Sequence, residues 1–200
     1  MFQQRINISI LRMLLAFAMP ALAMSVASAD EYFKFKNGKL ERPTDYREWV
    51  FVGAPVTPNE LNDGKAAFPE FHNVYIDPES WAHWKKNGTF RDGTILVKEL
   101  VDVGVKASAS GNGYFPGNFI GLAATIKSSK LFADEPGNWA YFSFSTPDLK
   151  GLTDTAEKFA TESCNACHAG AAADDFVFTQ HYPVLRAAKA AGELGAGGKR

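Results

Sequence analysis

Cys164-Asn165-Ala166-Cys167-His168 carries more chemistry than any other stretch of this chain. Cys-x-x-Cys-His is the spacing of covalent c-type haem attachment. On a helical turn, two cysteines three apart reach one porphyrin edge, where their thiols add to the vinyl groups, and the adjacent imidazole is turned toward the iron. Two other readings compete. A redox dithiol belongs in a βαβ setting that the surrounding residues do not offer. A structural zinc site needs a second ligand pair at ordinary spacing, which a chain with 2 Cys and 4 His lacks. If both thiols are consumed as thioethers, no disulfide remains, and stability falls to packing and the haem c itself.

The N-terminus decides what else the iron can meet. Arg5 and Arg12 precede an apolar run over residues 14–26 and then Ala27-Ser28-Ala29, the pattern of a secretory signal cleaved before Asp30. Pro20 interrupts that run, which is short for a bilayer span, so no membrane span is expected after cleavage. Export places the mature chain in the periplasm, where c-type haem is attached. Met1, Met13, Met19 and Met24 are the four methionines, and all fall in the signal, which closes the His/Met ligation of electron-carrying cytochromes c to the mature chain. His72, His83 and His181 are the histidines left beside His168. A vacant or water-filled sixth position is the expectation, and with it an iron that binds or transforms a small molecule. Without residues 1–29 the chain holds 19 basic against 22 acidic residues, a balance that points to neither nucleic acid nor an anionic membrane surface. Its 16 Phe, 6 Tyr and 4 Trp suit a domain that must wall an apolar macrocycle.

Several elements must position the pentapeptide. Residues 46–52 read as an extended segment or a short helix passing into one, and residues 53–68 as loop. Residues 71–76 alternate as a strand with His72, Val74 and Ile76 on one side and Phe71, Asn73 and Tyr75 on the other. Asp77-Pro78-Glu79 starts a helix that Asn87-Gly88 stops. Residues 94–103, 119–126 and 139–144 are further strands, and residues 106–117 form a polar loop. Residues 146–160 are loop with room for a short helix, and 182–191 a terminal helix. The sum is an α+β domain over residues 30–191, an antiparallel β-sheet of about four or five strands with marginal helices, followed by a disordered Gly-rich tail over residues 192–200.

Over nearly its whole mature length the chain resembles the cytochrome P460 family. The resemblance runs through Tyr46-Arg47-Glu48-Trp49, residues 57–65, Val74-Tyr75-Ile76-Asp77-Pro78-Glu79-Ser80, Arg91-Asp92-Gly93-Thr94, Val97-Lys98-Glu99-Leu100 and residues 111–115. It continues through Glu135-Pro136-Gly137-Asn138-Trp139 and residues 174–180. It implies a β-rich, periplasmic homodimer with one haem held by Cys164 and Cys167, ligated by His168, and joined to a lysine nitrogen at a meso carbon. The lysine's strand motif is matched here by Lys98. An ammonium on a strand face shared with Thr94, Leu96 and Leu100 must find water, a partner or neutrality, and a neutral amine is free to form a bond. The plain alternative makes Lys98 a guard on an edge strand with its head in solvent.

The activity implied is hydroxylamine oxidation to nitrous oxide, nitric oxide or nitrite, with electrons passed to a periplasmic acceptor such as another cytochrome. A distal proton acceptor is implied from the segment before the haem motif, which puts forward Asp154 and Glu157; His72 is a third candidate from its strand face. A related binding protein of the cytochrome c′-β type, which lacks the lysine link and binds nitric oxide, is the alternative. A plain electron carrier is disfavoured by the missing methionine.

Overall fold

The computed structural model describes residues 32–196. The signal segment 1–29 and the end of the tail, residues 197–200, lie outside the described residues.

A short hairpin opens the fold, β1 (Phe35–Lys36) and β2 (Lys39–Glu41), turning through Asn37 and Gly38, both at positive φ as such a turn requires. A 3-10 turn, Tyr46–Glu48, leads into β3 (Val50–Gly53). After the loop come β4 (Phe71–Ile76), α1 (Pro78–Asn87) and β5 (Ile95–Val103). Residues expected as polar loop make a small hairpin, β6 (Ala107–Ser108) and β7 (Gly111–Asn112), ahead of the long β8 (Pro116–Lys127) and β9 (Trp139–Ser143). In place of a short helix, the stretch after β9 adds β10 (Thr155–Ala156) to β2. Two helices close the chain: α2 (Thr161–Ala171) carries the pentapeptide, and α3 (Pro183–Ala196) runs five residues beyond the expected end at Ala191.

Five strands form one antiparallel sheet, within the four or five expected, and pair in the order β3-β4-β5-β8-β9. Each face has its own core. On one, Ile95, Val97, Leu122, Ala124, Phe142 and Phe144 pack under Phe33, Leu40, Trp49 and Ala156 of the N-terminal and β10 segments. On the other, Val74, Ile76, Leu96, Trp139 and Tyr141 meet Trp84 of α1, Val177, Leu185 of α3 and part-buried Cys164 of α2.

Two buried carboxylates hold β5 in place. Asp77 caps α1 by accepting the Ser80 N–H at 2.8 Å, and its other oxygen accepts the Ile95 N–H at 3.0 Å, so the start of the helix and the start of β5 share one side chain. Glu99 is 4 % exposed and accepts from Tyr46 Oη at 2.7 Å and from the Arg47 guanidinium at 2.6 Å, with Tyr75 and Asn73 further out. Lys98 and Glu99 are adjacent, so the strand's period of two sends them to opposite faces. A one-residue slip would bury Glu99 against α2 without its donors and put Lys98 among phenylalanines, which makes the pair a strong determinant of register.

Candidate functional site

The pentapeptide occupies the middle of α2, where the spacing places Cys164, Cys167 and His168 on neighbouring positions of one helical face. Asn165 turns away from that face and is buried, its Nδ2 donating to Glu135 Oε2 at 3.2 Å and to the Trp139 carbonyl at 3.4 Å. Thr161 donates to the same carboxylate at 2.8 Å, and Lys158 pairs with it. The hydrogen bond from Lys158 holds the Glu135 carboxyl below its usual value. The helix that carries the cysteines is thereby pinned to the edge of β9 by residues that leave the thiols free.

His168 is fixed from behind. Its Nδ1 lies 2.7 Å from the Phe176 carbonyl oxygen, so Nδ1–H donates there and Nε2 is left as the acceptor nitrogen for a metal. Tyr141 and Phe178 flank the ring at centroid distances of 4.5 and 4.7 Å. Burial lowers the imidazole from its ordinary value, against the pull of the Phe176 carbonyl, and keeps it neutral near pH 7. The Phe176 carbonyl is aimed by backbone geometry that few side chains tolerate: Asp175 and Phe176 both have positive φ, 43° and 63°. Asp175 is gripped by Lys127 at 2.9 Å and by Trp139 Nε1 at 3.3 Å. Gly137, at φ 61°, passes under the Phe176 ring so closely that a Cβ there would sit 2.5 Å from it. Phe176 and Tyr141 were not singled out from the sequence. Residues 174–180 and 135–139 had carried the resemblance, and their interlocking behind His168 is the physical content of those motifs.

Lys98 projects from β5 on the face of α2, with Leu96 and Leu100, opposite Val74 of β4 and Ala123 of β8. β5 is the central strand of the sheet, so the edge-guard alternative does not apply. Its ammonium sits 5.0 Å from the centre of the Phe68 ring. Burial pushes the amine below its ordinary value, with Glu70 and Cys164 near enough to pull it partly back. Beyond Lys98 this face is made of small residues: Gly121 opposite Leu100, and Ala123 paired with Ser143. The Tyr141 hydroxyl is buried on the same side without a hydrogen-bond partner. An open, small-residue sheet face, two thiols, a metal-ready imidazole and an orphaned hydroxyl fit a flat apolar macrocycle carrying iron. Among the described residues no cluster of three or more His, Cys, Asp or Glu could hold a bare metal ion.

The remaining candidates divide. His72 shares this face two residues before Val74, while His83 of α1 bonds Asn87 and, past the helix end, Thr89, and His181 stacks on Phe178. Asp154 and Glu157, expected over the iron, are elsewhere. Asp154 is 93 % exposed in an ion pair with Arg42, and Glu157 is 75 % exposed in one with Lys39. Residues 152–158 bridge to β9 and β2 over the opposite face of the sheet, and the chain crosses to the haem-motif side only at α2. Nearness in sequence to the pentapeptide therefore does not become nearness in space. Asp154→Ala is expected to leave both turnover and its pH profile unchanged and to cost no more than about 0.5 kcal/mol in denaturant unfolding, the scale of an exposed ion pair. A displaced pH profile would restore it as a candidate.

Residues 43–179 match the protein-family model described as Cytochrome P460. No curated protein matches the chain.

Proposed function

The chain belongs to the cytochrome P460 family of haem proteins, and on that premise we propose that it is a periplasmic oxidoreductase that oxidises hydroxylamine at a haem c bound through Cys164 and Cys167, ligated by His168 and cross-linked to Lys98. The supporting observation is the convergence of a desolvated Lys98 amine and Cys164 on one open face of the sheet. When bound, the haem supplies an iron that takes up the substrate nitrogen and its electrons.

The chain's own residues do the rest. His168 stays unprotonated because it is buried, and its orientation is held by Phe176. Lys98, on a central strand whose register is set by Glu99 and Asp77, offers a nitrogen that burial tends to strip of its proton. Lys98 would hold the ring through a C–N bond at a meso carbon; forming it would release two protons and two electrons to an external two-electron oxidant, and the link would alter the ring and hence the metal's reactivity. A cleft of about 570 Å³ lined by Phe68, Glu70, Leu100, Ile120 and Leu149 opens beside Lys98 and gives a small substrate a way in. Products are nitrous oxide, nitric oxide or nitrite, the electron acceptor is another periplasmic cytochrome, and the working unit is a homodimer.

The test is peptide mapping of the purified holoprotein alongside a hydroxylamine assay with an artificial electron acceptor. The expected result is one haem peptide carrying both residues 164–168 and the β5 segment, with tryptic cleavage blocked after Lys98, and steady reduction of the acceptor. A haem peptide without β5, an ordinary spectrum and nitric oxide binding without turnover would replace this reading with the gas-binding one.

A further inference from the structure

Glu70 was not among the residues expected to matter; in the sequence it is one more acid at the end of a loop. In the fold it is 8 % exposed, lines the cleft beside Lys98, and stands just before β4 with its Oε1 3.6 Å from His72 Nε2. That imidazole nitrogen is itself buried and has no hydrogen-bond partner. The Phe68 ring ties the group together, 5.8 Å from the His72 ring and 5.0 Å from the Lys98 ammonium. We propose that His72 is the proton acceptor for ligands entering this site and that Glu70 is its positioning residue, the pair doing what Asp154 and Glu157 are placed too far away to do.

This deepens the hydroxylamine reading and rests on it for the identity of the substrate. The step is a proton transfer alone: an N–H or O–H bond of the entering molecule breaks heterolytically, its electron pair stays with that molecule, and the proton passes to the His72 ring nitrogen that does not face Glu70, Nε2–H being turned to the carboxylate. The carboxylate of Glu70 stabilises the imidazolium that results. Burial raises the Glu70 carboxyl, but chiefly His72 and its own backbone N–H offset this and it lies below the usual value, as the negative charge the step needs requires. Lys98 of β5 and, beyond it, Cys164 of α2 are the titratable groups facing the pair, and both lose that character once bonded to the haem. At the cleft mouth Glu60 and Lys106 neutralise each other, and Asp102 is taken up by Asn118.

Cyanide is the probe, because it is present as HCN at neutral pH yet binds ferric haem as the anion, so a proton must leave during entry. Nitric oxide binding to the ferrous protein needs no proton transfer and serves as control. His72→Gln is expected to slow cyanide association about 100-fold, the usual scale of a positioned base, and to leave nitric oxide association within about twofold. Glu70→Gln, which keeps shape but not charge, is expected to slow cyanide about tenfold, again sparing nitric oxide. Unchanged cyanide entry in either variant overturns the pair. So does a parallel fall in nitric oxide association, which would mean that the cleft was merely blocked. If the wild type oxidises no hydroxylamine while the cyanide arms behave as expected, the substrate reading fails and the proton acceptor stands.

Discussion

Lys98→Ala is expected to yield a folded protein whose haem is held by Cys164 and Cys167 alone, with an ordinary high-spin c-type spectrum in place of a red-shifted ferrous Soret band, and with hydroxylamine turnover reduced at least about 100-fold. The argument starts from position. Lys98 is on the middle strand of five, with β4 and β8 hydrogen-bonded on either side, and its stem lies among Val74, Leu96 and Leu100. A lysine so placed is largely desolvated along its length, and burial lowers its amine accordingly. Desolvation of this kind costs stability, and alanine should therefore leave the fold as stable as before, so lost turnover cannot be ascribed to unfolding. Lys98→Arg sharpens the test. Arginine keeps the charge and much of the length but stays protonated and has no nucleophilic amine, so it is expected to fail as fully as alanine. Visible spectra, haem-peptide masses and acceptor reduction measured on the same preparations check the three consequences together. Turnover and spectrum unchanged in Lys98→Ala would remove the cross-link from the mechanism.

The strands were legible because their chemistry is local. Residues 71–76 alternate and form β4 with the bounds expected, and Asp77-Pro78 starts α1 with Asp77 as its cap. The opposite facing of Lys98 and Glu99 also follows from the strand period alone. What was illegible depends on partners far away in the chain. Glu70 looks like a solvated loop acid until β4 and β5 pair and bury it beside His72 and Lys98. Asp154 looks like a neighbour of the haem motif until β10 adds to β2, more than a hundred residues earlier, and carries residues 152–158 over the other face. Residues 107–112 read as polar loop because a two-residue hairpin needs no apolar alternation. Phe176 escaped notice for another reason: its functional group toward His168 is a backbone carbonyl, which no side-chain pattern reports.

His168→Gly separates attachment from ligation, and is expected to leave haem covalently bound through Cys164 and Cys167 while abolishing turnover. The imidazole fills a slot between Tyr141 and Phe178, and its Nδ1–H satisfies the Phe176 carbonyl. Glycine removes the metal ligand, opens a ring-sized cavity and strands that carbonyl, with a stability loss on the order of 2–4 kcal/mol in denaturant unfolding. The walls of the slot stand independently of the ring they hold: Asp175 is fixed by Lys127 and Trp139, and Asp174 by Thr179 and by Lys189 of α3. A pre-formed slot of that shape should take up free imidazole, whose N–H can donate to the Phe176 carbonyl while the other nitrogen meets the metal. Added imidazole is therefore expected to restore the five-coordinate spectrum and at least about a tenth of wild-type turnover, saturably, whereas N-methylimidazole, which has no N–H to give that carbonyl, should rescue less well. Equal rescue by both would show that Phe176 does not orient the ligand, and the aimed backbone at Asp175 and Phe176 would then need another explanation.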